Sequence, residues 1–234
     1  MIKNKKVKIT ELGFLPYGEA WNIQEEYFSK TIAVKRQNRQ LESPILTENH
    51  LLLVEHPPVF TIGKSGKIEH LLIKEEALKP KGIKFFKTNR GGDITFHGPG
   101  QLVGYPILDL DNFFTDIHKY LRYLEEIIIK TLLDFGLKST RGDGETGVWL
   151  DLDTPFARKI CAMGVRASRW VTMHGFALNI NTDLSYFDYI VPCGIKGKKV
   201  TSLSKELNKQ VDPELVKASL LKYFSEIFEV EIIN

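Results

Sequence analysis

Residues 158–180 read RKICAMGVRASRWVTMHGFALNI. Two runs, 158–167 and 170–180, are rich in apolar and small residues, and the short segment 168–170 joins them. This spacing predicts an antiparallel hairpin with a tight connection. Successive strand side chains point to opposite faces, so Lys159, Cys161 and Met163 are expected on one face. In the second run, Met173-His174-Gly175-Phe176-Ala177-Leu178-Asn179-Ile180 alternates small residues with large ones. That alternation suits the wall of a narrow apolar channel and equally suits a close-packed sheet.

Working outward, segment 146–151 holds Val148 and Trp149 and reads as a further strand, and 101–109 is a strongly apolar one. Residues 5–13 alternate, His50–Glu55 and Val59–Ile62 read as strands broken by Pro57 and Pro58, and 83–88 is another. Residues 17–37 read as a helix carrying Trp21, Ile23, Tyr27, Phe28 and Ile32. Residues 116–135 form the clearest helix: Ile117, Leu121, Leu124, Ile128 and Leu132 follow its period and Gly136 stops it. A last helix opens at Asp212-Pro213 and ends near Phe228, after which 230–233 can return to a sheet. Strands arrive in runs between a few helices. The pattern is α/β of the α+β kind, mixed sheets with flanking helices, and lacks the regular alternation of a doubly wound sheet.

A chain of 234 residues fits a single domain spanning 1–234 and buries a sizeable core unaided. With 43% hydrophobic and 26% charged residues it matches a globular protein, and no run approaches a membrane span. The first residues read as a mature N-terminus. Two cysteines, Cys161 and Cys193, make a poor disulfide framework, which favours a reducing, cytoplasmic setting. A net charge of +3 does not argue for nucleic acid, and no membrane role is expected. Lys196, Lys198 and Lys199 follow Cys193 closely; such a cluster is either a solvated loop or a docking patch for an acidic partner.

Four segments carry chemistry. In residues 90–101, RGGDITFHGPGQ, glycines surround an Arg, a Thr and a His. Glycine lets backbone approach a ligand, and exposed amides can hold a carbonyl or carboxylate oxygen; the plainer reading is a hairpin with glycine turns. Val191-Pro192-Cys193-Gly194-Ile195 sets a thiol on a turn, where a nearby cation would make it a nucleophile, although cysteine is more often a buried small hydrophobe. Cys161, mid-strand between apolar residues, reads as packing, yet local geometry places it near Lys159. Lys159 is either a surface charge or the cation and proton carrier of such a site. His174 alone reads as a satisfied core or edge histidine. Gly63-Lys64-Ser65 resembles the end of a phosphate-binding loop, but Pro58 stands where its first glycine should be. No paired His/Cys spacing suits zinc and no Gly-x-Ser-x-Gly occurs, so no metal and no cofactor are expected.

Together the segments resemble the lipoyl(octanoyl) transferase family. The match rests on Glu55-His56-Pro57-Pro58-Val59-Phe60-Thr61-Ile62-Gly63, on residues 90–101 followed by Tyr105-Pro106, on Thr146-Gly147-Val148-Trp149, on Lys159-Ile160 through Gly164-Val165-Arg166, and on His174 through Asn179 followed by Pro192-Cys193-Gly194. The resemblance implies the biotin and lipoate protein ligase fold, with Cys193 as acyl-thioester nucleophile and Lys159 as the residue that favours its thiolate. It implies substrate contacts from Arg90, Gly91, Gly92, Asp93, Ile94, Thr95, Phe96 and His97, from Ala162, Met163 and Gly164, and from Gly175, Phe176 and Ala177. The implied donor is octanoyl-acyl carrier protein. The acceptor is a lysine of the lipoyl domains of 2-oxoacid dehydrogenase complexes or of the glycine cleavage protein. Position 161 departs from the family, which commonly places a small non-thiol residue there. The rivals are an ATP-dependent lipoate or biotin protein ligase and a non-catalytic carrier-protein binding module.

Overall fold

The computed structural model describes residues 3–191 and 199–233. In chain order the strands and helices are β1 (Lys6–Phe14), α1 (Tyr17–Gln37), β2 (His50–Glu55), β3 (Val59–Ile62), β4 (Lys84–Lys87), β5 (Ile94–His97), β6 (Gln101–Ile107), α2 (Ile117–Asp134), β7 (Thr140–Arg141), β8 (Val148–Leu150), β9 (Arg158–Ser168), β10 (Val171–Asn179), β11 (Lys199–Val200), α3 (Leu203–Leu207), α4 (Pro213–Phe228) and β12 (Glu231–Ile233). This is the mixed α/β architecture expected from the sequence.

Among the described residues, nine strands form a main sheet in the order β12-β1-β2-β6-β10-β9-β8-β7, with β11 also paired to β9. Its centre is antiparallel, while β12, β1 and β2 run parallel to one another. A second sheet, β4-β3-β5, carries the glycine-rich segment. The hairpin at 158–180 turns on Arg169 and Trp170, both at positive φ (51° and 64°), as a two-residue connection requires. Asp116 caps α2 by accepting from the His118 and Lys119 N–H groups, and Asp212 caps α4 by accepting from Glu214 N–H.

The main sheet separates two cores, and period two assigns each strand residue to one of them. Leu51 and Leu53 of β2 and Phe176 and Leu178 of β10 face α2 and α4, packing with Ile128, Leu132, Leu220 and Phe224. Leu52, Val54, Val103, Tyr105 and Ala177 face the other way, onto Ala20 and Phe28 of α1. A third cluster, around Phe60, Ile94, Phe96 and Phe187, fixes the small sheet.

Candidate functional site

A cavity of about 530 Å³ lies against β9 and β10, within the usual range for a ligand site. Its existence follows from missing side chains. In the register of the hairpin, Gly164 faces Gly175 and Ala162 faces Ala177. Four small residues in cross-strand pairs open a trough in the sheet at this point. The segment 90–93 closes over it: Gly91 N–H donates to Val165 O at 2.9 Å, and a Cβ on Gly164 would come within 2.7 Å of Gly91 O. That same segment is laced to β3, with Lys64 N–H donating to Arg90 O at 2.9 Å and Gly63 N–H to Asp93 O at 3.3 Å. A Cβ at position 63 would fall 2.3 Å from Gly92 O, so the glycine of Gly63-Lys64-Ser65 serves backbone approach.

Buried side chains anchor the glycine-rich segment. Arg90 is 7% exposed and donates from Nη2 to Thr61 O and Oγ1 (2.7 and 2.9 Å) and from Nη1 to Gly91 O. His97 Nδ1 donates to Gln101 Oε1 at 2.8 Å, because the Gln101 amide nitrogen is committed to Phe96 O and Asn179 Oδ1. His97 Nε2 then accepts from Thr61 Oγ1 at 3.3 Å. Burial holds His97 well below the ordinary histidine range, so it is neutral. Asp93 is tied to His70 Nδ1 at 2.5 Å and accepts from Ile94 N–H.

On the opposite wall His174 sits mid-strand at φ 57°, a conformation that costs a non-glycine residue about 1–3 kcal/mol. Helix α1 holds it there: His174 N–H donates to Gln24 Oε1 at 3.0 Å. Its Nε2 donates to Asn89 Oδ1 at 2.6 Å, and Asn89 donates onward to Glu25. Burial lowers His174 to about 3.

Lys159 is 8% exposed and forms part of the cavity wall. Its Nζ donates to Thr146 O at 3.1 Å and lies 4.5 Å from the centre of the Trp149 ring. Strict alternation places Lys159 and Cys161 on one face, but the strand does not alternate there. Val148 pairs with Cys161 and Trp149 with Lys159, so Ile160 is an extra residue on β9, a bulge that re-aims its neighbour. Ile160 and Cys161 are both fully buried in the α2/α4 core. Burial also pushes the Cys161 thiol far above its ordinary range.

Of the residues expected at the site, Arg90, Gly91, Gly92, Asp93, Ile94, Thr95, His97, Lys159, Ala162, Met163, Gly164, Gly175, Phe176 and Ala177 all line this cavity. Phe96 does not: it is 1% exposed and stacks on Tyr186 at 4.5 Å, because alternation along β5 turns it into the small-sheet core. Cys193, with Lys196 and Lys198, lies outside the described residues. The chain on either side of it is tied to the site. Val191 N–H donates to His70 O at 2.8 Å, and β11 begins beside Lys159, with Val200 as its register partner and Thr201 N–H donating to Lys159 O at 2.9 Å. Among the described residues no cluster of His, Cys, Asp and Glu could hold a metal ion.

Glu125 was not singled out from the sequence. It is a fully buried carboxylate on α2 whose Oε1 accepts from Gly147 N–H at 2.9 Å, and Arg122 pairs with its other oxygen at 3.1 Å. The signal for it was a charge inside the apolar stripe of a helix, between Leu121 and Ile128.

A family model, the lipoyl protein ligase A/B catalytic domain, matches residues 16–225. A Christiangramia forsetii protein named octanoyltransferase is 64% identical, with 98% of each chain covered. A Flavobacterium johnsoniae octanoyltransferase is 61% identical over 98% of this chain and 100% of its own. Among solved structures, the bipartite lipoate protein ligase of Thermoplasma acidophilum superposes with a TM-score of 0.68 at 16% identity, covering 99% of this chain and 88% of that one. The Aquifex aeolicus biotin protein ligase with biotin and ATP gives a TM-score of 0.53 at 14% identity, covering 95% and 70%. At these identities the structural likeness concerns the fold.

Proposed function

The chain belongs to the lipoyl protein ligase A/B catalytic domain family and its activity is octanoyl transfer in lipoate biosynthesis; from that premise we propose that the acyl group passes through a thioester on Cys193, with Lys159 as proton carrier. The donor is octanoyl-acyl carrier protein. The acceptors are lysines of lipoyl domains in 2-oxoacid dehydrogenase complexes or the glycine cleavage protein, and the reaction runs in the cytoplasm. One domain, 1–234, does the work.

The reading is carried by a buried lysine on the wall of the cavity whose register partner, Val200, lies seven residues after Cys193 in sequence. The Cys193 thiolate attacks the thioester carbonyl, forming one C–S bond. The tetrahedral oxyanion collapses, the C–S bond to the carrier breaks, and the departing thiolate takes a proton from Lys159. The acceptor amine then attacks the acyl-enzyme. A C–N bond forms, the Cys193 thiolate leaves, and the neutral Lys159 takes the amine's proton. A thioester becomes an amide, so no ATP is consumed. Gly91 N–H is committed to Val165 O, which leaves the Gly92 and Asp93 N–H groups as loop donors for the oxyanion, with the Gly175 region as the second source. The octanoyl chain occupies the trough over Ala162, Gly164, Gly175 and Ala177.

Incubation with octanoyl carrier protein and a lipoyl domain, with and without ATP, separates this route from its rivals. Transfer without ATP supports the thioester route. Strict ATP dependence supports a ligase, and binding without transfer supports a silent module.

A further inference from the structure

We infer that Glu125 is a positioning residue for the transfer reaction, fixing the Thr146-Gly147 turn whose carbonyl receives the Lys159 ammonium. The inference rests on the reading of Lys159 as proton carrier.

A wholly buried carboxylate on the apolar face of a helix needs a reason, since isolation from water is costly for it. Glu125 has no exposed surface, whereas its ion-pair partner Arg122 is 36% exposed. Its Oε1 reaches across to Gly147 N–H at 2.9 Å. Gly147 stands at φ 120°, where side-chain-bearing residues are strained, and a Cβ there would lie 2.6 Å from Cys161 O and 3.4 Å from Lys159 Cε. The turn is therefore pressed against β9 at the lysine. The carbonyl one residue back, Thr146 O, accepts from Lys159 Nζ at 3.1 Å. Glu125, Gly147, Thr146 and Lys159 make one chain of contacts from helix to cavity wall. In this role the carboxylate acts through the Thr146-Gly147 turn, holding the carbonyl that aims the ammonium. Burial raises the Glu125 carboxyl above its ordinary range, and the Gly147 N–H with the charges of Arg122, Arg141 and Lys159 works against that rise.

The test compares Glu125→Ala, Glu125→Gln and Glu125→Asp in the wild-type and Lys159→Ala backgrounds, reading octanoylated lipoyl domain by mass spectrometry. Removing a buried hydrogen bond that orients the proton carrier should lower kcat about 10–100-fold in Glu125→Ala, with KM for both protein substrates changed less than about twofold. Glutamine keeps an acceptor within reach of Gly147 N–H and should restore kcat to within about fivefold. Aspartate keeps the charge but loses the reach, and should stay near the alanine value. In Lys159→Ala, adding Glu125→Ala should change the residual rate less than about twofold, because a non-additive pair acts as one unit. If the alanine variant does not fold, the glutamine and aspartate pair decides. Equal losses in both backgrounds, or recovery by aspartate instead of glutamine, overturn the inference while leaving Lys159 in place. Full activity of Lys159→Ala overturns the reading of Lys159 and the inference with it.

Discussion

Gly104→Ala tests how the cavity is shaped. Gly104 on β6 faces Phe176 on β10 across the sheet, and the Phe176 ring lies over the space a side chain would fill. A Cβ at 104 would stand 2.1, 2.4 and 2.8 Å from three ring carbons. Carbon atoms pack at about 3.5–4 Å, so the ring must move by more than about 1 Å. Its neighbours are the α2/α4 core, where Phe176 is 2% exposed, and the cavity that it also lines. The core is already close-packed, so the ring should give way toward the cavity. Overpacking of this kind costs about 1–3 kcal/mol. At this chain length that corresponds to a Tm lower by roughly 3–9 °C. Urea and thermal unfolding measure the stability. Competition between octanoyl and hexanoyl donors measures the cavity, and kcat/KM should shift toward the shorter chain by about 10-fold, the value of one or two lost methylene contacts. Wild-type stability together with an unchanged chain-length ratio would refute the packing argument.

Cys161→Ala should cost about 1 kcal/mol or less in stability and leave turnover within about twofold, because this thiol is core packing; iodoacetamide should not label it in the native protein. The buried histidines set an acid limit. Burial lowers His56 to about 4, so the unfolded chain takes up the proton first as the pH falls. Stability through this group is therefore full above about pH 6.5 and declines toward pH 4. His56→Gln should shrink the loss of unfolding free energy between pH 7 and pH 5 by about 2 kcal/mol, read from urea titrations. An unchanged pH slope in that variant would contradict the buried, neutral His56.

Much of this layout was legible in the sequence because it depends on local signals. The helix at 17–37 is Tyr17–Gln37, and Asp116 and Asp212 mark helix starts by caps that work through their own neighbours' N–H groups. The 168–170 connection is the Arg169-Trp170 turn. What was not legible depends on pairing. The bulge at Ile160 exists because of how β9 meets β8, and no period within 158–167 announces it. It breaks the alternation by which the sequence places Lys159 and Cys161 on one face. The sheet register likewise decides that Gly164, Gly175, Ala162 and Ala177 face one another as a trough, so the small-large alternation of 173–180 builds a cavity wall on one face and packs the core on the other. Phe96 belongs to the same stretch as Thr95 and His97, but its contacts with Phe60 and Tyr186 are long-range. Glu125 was written in the sequence as a charge in an apolar stripe; its partner Gly147 lies 22 residues away.

The central claim is that the acyl group rests on Cys193. Intact-protein mass spectrometry after a short incubation with octanoyl carrier protein, without acceptor, tests it directly on the wild type, Cys193→Ser and Cys161→Ala. The account predicts one octanoyl adduct on the wild type and on Cys161→Ala, labile to hydroxylamine, and none of that kind on Cys193→Ser. A hydroxylamine-labile adduct that persists in Cys193→Ser and disappears in Cys161→Ala would contradict it.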